Sequence, residues 1–499
     1  GALRVQPDPF SLLVWQMRAT VHGSDFRGLA TWFVWYDYFS VPQPSVQEQG
    51  QHSNLQSDLG KAISSLDAYI ASCRWFIALC PTVRHENGHL VNRVTWKRRG
   101  WCRFERLARV LSNAEEITML TIEHEGTVQQ TGMQEFVIDS VGFGEFSVDS
   151  DRLRLAPRVR HMIEGKLLYL SDMGRWNEYR RLVGLRTRLL EALGKEDCSE
   201  RWACEAEGHI RTGEFLAALR CKSPTKPVLG TSPLLLAAGL GDLPTMRSLI
   251  RMGASVDLGE ASDVPSFMVL AGSQPLHTAC MHGHSSAVAM LLKYRANIRA
   301  RTSDRSTPMH LATFASHESV LRELLARRAD IDARDIMGVS VLDTAVSVSK
   351  LEAMRFLMAS GVSLACNANG MNPLHTALGV DEEIVRELAA GGVSLRDRVR
   401  PIFGSLGWGI MLRFSLAYRL GRRDGYSFIF FHALGATPCL IAAAAGHLCT
   451  VDVLLRHRAN LEDRNDHGVS VVEIFEAAGL YSASSVNHLL WHGPASSLT

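Results

Sequence analysis

The sequence carries almost no net charge. Its 53 lysines and arginines nearly balance 51 aspartates and glutamates. The chain as a whole therefore has no broad field to draw in nucleic acid or an anionic membrane, and no nucleic-acid partner is expected. It also lacks an apolar run long enough to span a bilayer. The nearest, residues 402–420, is interrupted by Arg413 and Arg419. The 10 cysteines are scattered without the regular spacing of a disulfide framework, so reduced thiols and an intracellular location are expected. No secretory leader opens the chain, and because it begins at Gly1 a missing start is expected. What remains is ordinary globular material: 46% apolar and 21% charged residues over 499 positions, enough for two or more domains.

The second half repeats one phrase. It reads Thr307-Pro308-Met309-His310-Leu311-Ala312 and returns as Gln274-Pro275-Leu276-His277-Thr278-Ala279 and Asn372-Pro373-Leu374-His375-Thr376-Ala377. Weaker copies begin at Ser232, Ser340, Thr437 and Ser470. The step is 33 residues from 275 to 308, from 308 to 341 and from 438 to 471, and 32 from 341 to 373. A fixed period of this size signals stacked supersecondary units. The phrase at this period resembles the ankyrin repeat, which implies an α-helical solenoid of paired helices joined by hairpins.

Within that frame each residue gains an expected place. The proline starts the first helix, where its missing N–H is no loss, and the residue before it caps that helix. His277, His310 and His375 are expected to bond between neighbouring units rather than to catalyse. Leu235, Leu276, Leu311 and Leu374 are expected in the core. Gly253, Gly361 and Gly392 end second helices in the left-handed conformation, and Arg295, Arg328 and Arg458 replace that glycine at some cost. The step from 233 to 275 is 42, so residues 260–271 hold an inserted loop. The step from 373 to 438 is 65, close to two periods. Residues 399–434 then read as a drifted eighth repeat beside seven recognisable ones, or else as an aromatic insertion. The register places Met281, Phe314 and Ala444 at the exposed inner-helix position. It places Asp304, Arg305, Ile336, Met337, Asn369 and His467 at hairpin tips. Together these give the expected protein-binding surface on the concave face.

The first quarter reads differently. Residues 31–36 and 75–79 are short β-branched and aromatic runs, with a third strand at 117–122. Residues spaced for helices lie between them, at Leu59, Ile63, Leu66 and Ile70 and again from Arg99 to Leu111. Strand, helix, strand, helix, strand implies a parallel sheet with helices on its faces, an α/β domain. A further helix is expected over 10–21. Cys80, His85, His89 and Cys102 have ligand types that suit zinc, yet two loop histidines and core thiols explain them without metal.

Several short motifs here occur in the order found in a Toll/interleukin-1 receptor (TIR) domain. They are Asp37 at a strand end, Ala62-Ile63-Ser64-Ser65, the strand 76–79, and Trp101-Cys102-Arg103-Phe104-Glu105. The stretch Val34-Trp35-Tyr36-Asp37 with Pro42-Gln43 also resembles the related heterokaryon-incompatibility domain. The resemblance implies a domain for signalling or self-association, with its first strand absent before Pro7. Some TIR domains cleave NAD, and the resemblance then implies Glu105 as the catalytic carboxylate with Asp37 as a ligand contact. The alternative for both is a helix-start or capping role.

Residues 126–227 read as a helical connector, with helices over 157–170, 176–193 and 204–219, capping the array. The expected domains are thus a TIR-like α/β unit at 1–125, the connector at 126–227, ankyrin repeats at 228–492 and a tail at 493–499. The expected function is a protein-interaction scaffold without a cofactor. The rival is an NAD-cleaving hydrolase using Glu105, in which NAD is only a substrate.

Overall fold

A computed structural model describes residues 4–7, 65–84, 90–113, 119–124, 127–131, 139–193, 208–228, 230–263, 269–421 and 425–478. The chain divides into two compact units, Gly1–Cys204 with Pro265–Met268, and Glu205–Val264 with Val269–Thr499.

The first unit contains a four-stranded sheet ordered β1 (Arg4–Pro7), β6 (Thr127–Thr131), β5 (Met119–His124), β2 (Phe76–Leu79). A separate two-stranded ribbon pairs β3 (Val83–Arg84) with β4 (Leu90–Val91). β2 pairs parallel to β5, as a strand–helix–strand order predicts. The sheet is nevertheless mixed, because β5 and β6 form an antiparallel hairpin and β1 then pairs parallel to β6. This corrects the all-parallel expectation. Only two residues separate β5 from β6, too few for a crossover helix. The expected run at 75–79 is only half buried. Ile77 and Leu79 are exposed while Ala78 faces inward, the alternation of a strand with one covered face. The expected helix at 10–21, the strand at 31–36, Asp37, His85 and His89 lie outside the described residues.

Helix α1 (Leu66–Ser72) is followed by α2 (Arg93–Arg98) and α3 (Gly100–Leu111). Asn92 caps α2 by accepting from Val94 and Thr95 N–H. α3 is largely buried, and α1 and α4 (Ser150–Asp172) pack on it, with α5 (Trp176–Leu190) against α4. Leu182, Val183, Leu185, Leu189 and Leu190 form the buried face of α5, as their spacing predicts. α4 and α5 therefore complete the first unit. Only α6 (Gly208–Ala218), through Phe215 and Leu219, covers the start of the array by packing on its first outer helix.

The second unit is a stack of helix pairs. Inner helices are α7 (Pro233–Leu240), α9 (Pro275–Met281), α11 (Pro308–Ala315), α13 (Val341–Ser347), α15 (Pro373–Thr376), α19 (Pro438–Ala444) and α21 (Val471–Ala478). Outer helices are α8 (Leu243–Arg251), α10 (Ser285–Lys293), α12 (Glu318–Ala326), α14 (Leu351–Ala359), α16 (Glu382–Ala390) and α20 (Leu448–Arg456). Proline stands in the first turn of α7, α9, α11, α15 and α19. Ser232, Ser340 and Asn372 accept the first backbone N–H groups. Leu291, Leu324, Leu357, Leu388 and Leu454 are wholly buried at matching places on the outer helices, each worth about 1.5–3 kcal/mol. Arg295, Arg328 and Arg458 take φ of 64°, 59° and 71°, where Gly253, Gly361 and Gly392 have 91°, 82° and 90°.

The long spacing between residues 373 and 438 does not hold a drifted repeat. α15 packs directly on α19 and α16 directly on α20. His375 bonds to the Ala436 carbonyl at 3.3 Å, across 61 residues of sequence. In ordinary hairpins the closing bond joins residues four apart, as in Asn367 N–H to Met371 O and Asn465 N–H to Val469 O. The same bond runs from Val399 N–H to Ala436 O, 37 positions apart, an excess of 33. The insertion equals one repeat period, so the register survives although no repeat occupies it. The inserted residues form a pair of helices at the hairpin tip, α17 (Leu406–Arg419) and α18 (Gly425–Ala433), which pack on each other. The nine extra residues expected near 260 are found, and they too sit in a tip. Glu260 pairs with Ser273, 13 positions on rather than four.

Candidate functional site

Three hairpin tips are each fixed by their own first residue. Asp335 accepts from Met337 and Val339 N–H at 2.8 and 2.9 Å. Asn367 does the same for Asn369 and Met371, and Asn465 for His467 and Val469. A glycine with positive φ follows three residues later, at Gly338, Gly370 and Gly468. This Asx-turn pattern, Asp or Asn three before Gly, was visible in the sequence and marks the tips directly. At the interrupted tip Gly435 keeps that geometry at φ 68°, but Val399 stands in the first position.

Neighbouring tips are laced by a second repeated residue. Arg301 donates to the carbonyls of Arg305 and Arg334, at 2.9 and 2.8 Å. Arg334 donates to Gly338 and Cys366, and Arg398 to Gly435 and Arg464. These arginines lie seven residues before the helix-starting residue at 308 and 341, a periodicity the sequence also contained. Planar guanidinium donors suit two carbonyls at fixed spacing, which makes them scaffold.

The repeated histidines of the phrase are scaffold too. The Nδ1 atoms of His277, His310 and His375 accept from the N–H of Gln274, Thr307 and Asn372. This pairing puts the proton of His277 and His310 on Nε2. Nε2 of His310 and His375 points to the next repeat's carbonyl, at Val339 (3.4 Å) and Ala436 (3.3 Å). Burial pushes all three imidazoles down to about 4, so they are neutral near pH 7.

The expected partner-binding residues separate into three groups. Met281, Phe314 and Ala444 are only 9%, 6% and 5% exposed, so the expectation of an exposed inner-helix position there is corrected. The half-exposed position lies three residues after the proline rather than six, at Thr278, Leu311 and Thr376. The sixth falls in the last turn, against the neighbouring inner helix. Leu311 accordingly stays outside the core, where Met309 stands instead. Asp304, Asn369 and His467 are at tips but already engaged. Asp304 accepts from Ser306 N–H and Oγ at 2.9 Å, and Asn369 donates to the Met337 carbonyl at 2.9 Å. His467 stacks on Phe431 at 4.1 Å and donates Nε2–H to its carbonyl at 3.0 Å.

Arg305, Ile336 and Met337 are brought together. They line a cavity of about 470 Å³ with Arg301, Arg334, Asp330, Asp332, Asp335 and Ala368, closed on one side by Ser405, Leu406 and Gly407 of the insertion. Ile336 and Leu406 are 46% and 50% exposed. Much of the rim is held rigid. Arg301 and Arg334 are spent on carbonyls, and Asp332 accepts from Ser363 N–H at 2.8 Å. Burial pushes the Asp335 carboxyl up to about 7, partly opposed by the Val339 N–H. The site sets exposed Ile336 and Leu406 among charged side chains of both signs, an arrangement suited to binding. The sequence pointed to the tips but not to Leu406, which the insertion delivers.

In the first unit, Glu105 lies half-buried on α3 and Asp37 falls outside the described residues. The motif around Glu105 packs tightly. Trp101 Nε1 donates to Asp151 at 3.0 Å, Arg103 donates to the Lys97 and Ser140 carbonyls, and Arg109 to those of Cys73 and Arg74. Burial, reinforced by Glu105, pushes the Cys102 thiol up to about 12, and burial takes Cys80 to about 11. Such thiols are poor nucleophiles near pH 7. Among the described residues no three His, Cys, Asp or Glu side chains cluster for a metal ion.

Comparison with known families agrees with this geometry. The family described as "Ankyrin repeats (3 copies)" matches residues 234–335, and "Ankyrin repeat" matches 434–466. The second unit contains ankyrin repeats. The second match begins where the insertion ends. Among solved structures, the chain is similar to the human ASB11 ankyrin repeat domain, at 23% identity and a TM-score of 0.38, covering 53% of this chain and 100% of that one. It is also similar to the ankyrin repeat domain of Bcl-3, described as a unique member of the IkappaB protein family, at 21% identity and a TM-score of 0.38, covering 52% and 99%. No curated protein matches the chain.

Proposed function

We propose that the protein is an interaction scaffold whose ankyrin array holds a protein partner at the hairpin-tip groove between Arg305, Ile336, Met337 and Leu406. The observation that carries this reading is the exposed apolar pair Ile336 and Leu406 set within a rim of three arginines and three aspartates. An apolar anchor inside a polar rim is the anatomy of a protein interface. The reading needs no cofactor. It leaves the first unit the role of assembly or signalling that a TIR-like domain would have, by self-association or by display of the array. NAD cleavage would need Glu105 and Asp37 at one pocket, and no feature among the described residues favours it.

The test is site-specific crosslinking. A photoreactive residue at position 336 should give discrete protein adducts, and one at Tyr294, which caps the end of outer helix α10, should not. Met337→Asp should weaken the adducts at 336 by about tenfold or more, the loss expected of an interface anchor. Equal labelling from both positions would remove the groove as the binding site.

A further inference from the structure

α17 has two apolar faces, and only one is used. Its inner face packs on α18, with Phe414 on Phe430 at 5.2 Å and Tyr418 on Phe431 at 4.6 Å. Met411 and Ser415 are buried on that side. Its outer face carries Leu412 and Leu416, with Leu420 at its C-cap; these are 52%, 53% and 79% exposed, and Phe403 just before the helix is 82% exposed. At 100° per residue, Leu412, Leu416 and Leu420 fall within one arc of about 80°. Arg419 borders this arc on one side and Arg413 on the other. Those two arginines are the only charged residues between 401 and 421, and no acid stands among them.

We propose that this outer face docks on an anionic lipid surface, with the leucines and Phe403 entering the headgroup boundary and Arg413 meeting lipid phosphates and carboxylates. The charge pattern argues for lipid as the occupant. Leucines bordered by arginine alone match an apolar layer overlaid by negative headgroups. Protein anchors instead seat in pockets, and this helix presents a ridge whose other side is filled by α18. The helix has 14 residues, a length of about 21 Å, so it lies in the plane of the surface. Among the described residues no helix is long and apolar enough to cross a membrane. The insertion would then anchor the array at a bilayer while its repeats remain in water, a role independent of the groove at Ile336.

The experiment is flotation of the full chain with phosphatidylcholine vesicles, with and without phosphatidylserine, at low and high salt. Binding is expected only with phosphatidylserine and should fall as salt rises. The double variant Leu412→Glu, Leu416→Glu should lose binding by about tenfold or more while keeping the parent melting temperature, since both side chains are exposed. Arg413→Gln should reduce partitioning about fivefold. Absence of binding to phosphatidylserine vesicles would overturn the proposal, as would binding that the leucine variant leaves unchanged. A dimer in solution that the leucine variant dissolves would assign the face to a second copy and also overturn it.

Discussion

Excision of residues 401–433 should leave an intact ankyrin array. The deletion joins Val399-Arg400 to Leu434-Gly435-Ala436, which restores a five-residue hairpin. Gly435 already has the φ of 68° that its counterparts Gly338 and Gly370 show, at 78° and 71°. Shortening the closed segment from 37 residues to four favours folding by about 2 kcal/mol, since closure entropy scales with the logarithm of length. Against this stand contacts that α18 makes with the last tip. The Phe431–His467 stack is worth about 1 kcal/mol. The Asn465 bond to the His432 carbonyl is worth about another. These offset the gain, so the excised chain should keep the parent stability to within about 1 kcal/mol, as read by urea denaturation followed by circular dichroism. The decisive comparison adds His375→Ala to both chains. His375 spans the α15–α19 junction to Ala436, so its loss should cost the same, about 1–2 kcal/mol, before and after excision. An excised chain that unfolds in two separated steps, or one in which His375→Ala costs nothing, would refute direct stacking of α15 on α19.

Two further outcomes follow from single residues. His310 is held at about 4 in the folded chain, below its ordinary 6.5, so its contribution is complete above pH 6.5 and is lost as pH falls toward 4. That displacement corresponds to about 3 kcal/mol, so His310→Asn should flatten the pH dependence of the urea midpoint in this window by about that amount; Asp335 titrates in the opposite sense but is common to both chains and cancels. An unaltered slope would contradict a buried neutral imidazole. Arg328→Gly relieves a left-handed arginine at φ 59° and should raise stability by about 0.5–1 kcal/mol, the relief of strain exceeding the added freedom of the unfolded chain. A lower melting temperature would show that the Arg328 side chain contributes more than its backbone costs.

The repeat phrase was legible because it is local chemistry. A proline in the first turn, a capping side chain before it and a histidine three residues on act within one turn of helix, so the order of residues dictates them. The same holds for the left-handed arginines and the nine-residue tip insertion, both found where the period placed them. Register alone misled at residues 399–434. A 33-residue insertion and a drifted extra repeat give the same count, and only the hydrogen bonds of Val399 and His375 to Ala436 distinguish them. Facing was misjudged at Met281 and Phe314, because exposure depends on the neighbouring inner helix and not on the helix that carries the residue. The mixed sheet of the first unit was hidden for a similar reason, since strand direction is set by pairing across distant segments. Local sequence thus determined the repeat, its caps and its turns. Tertiary structure decided which repeats touch, which side chains reach water, and that Leu406 joins Ile336 and Met337 in one groove, because each of these depends on contacts between residues far apart in the chain.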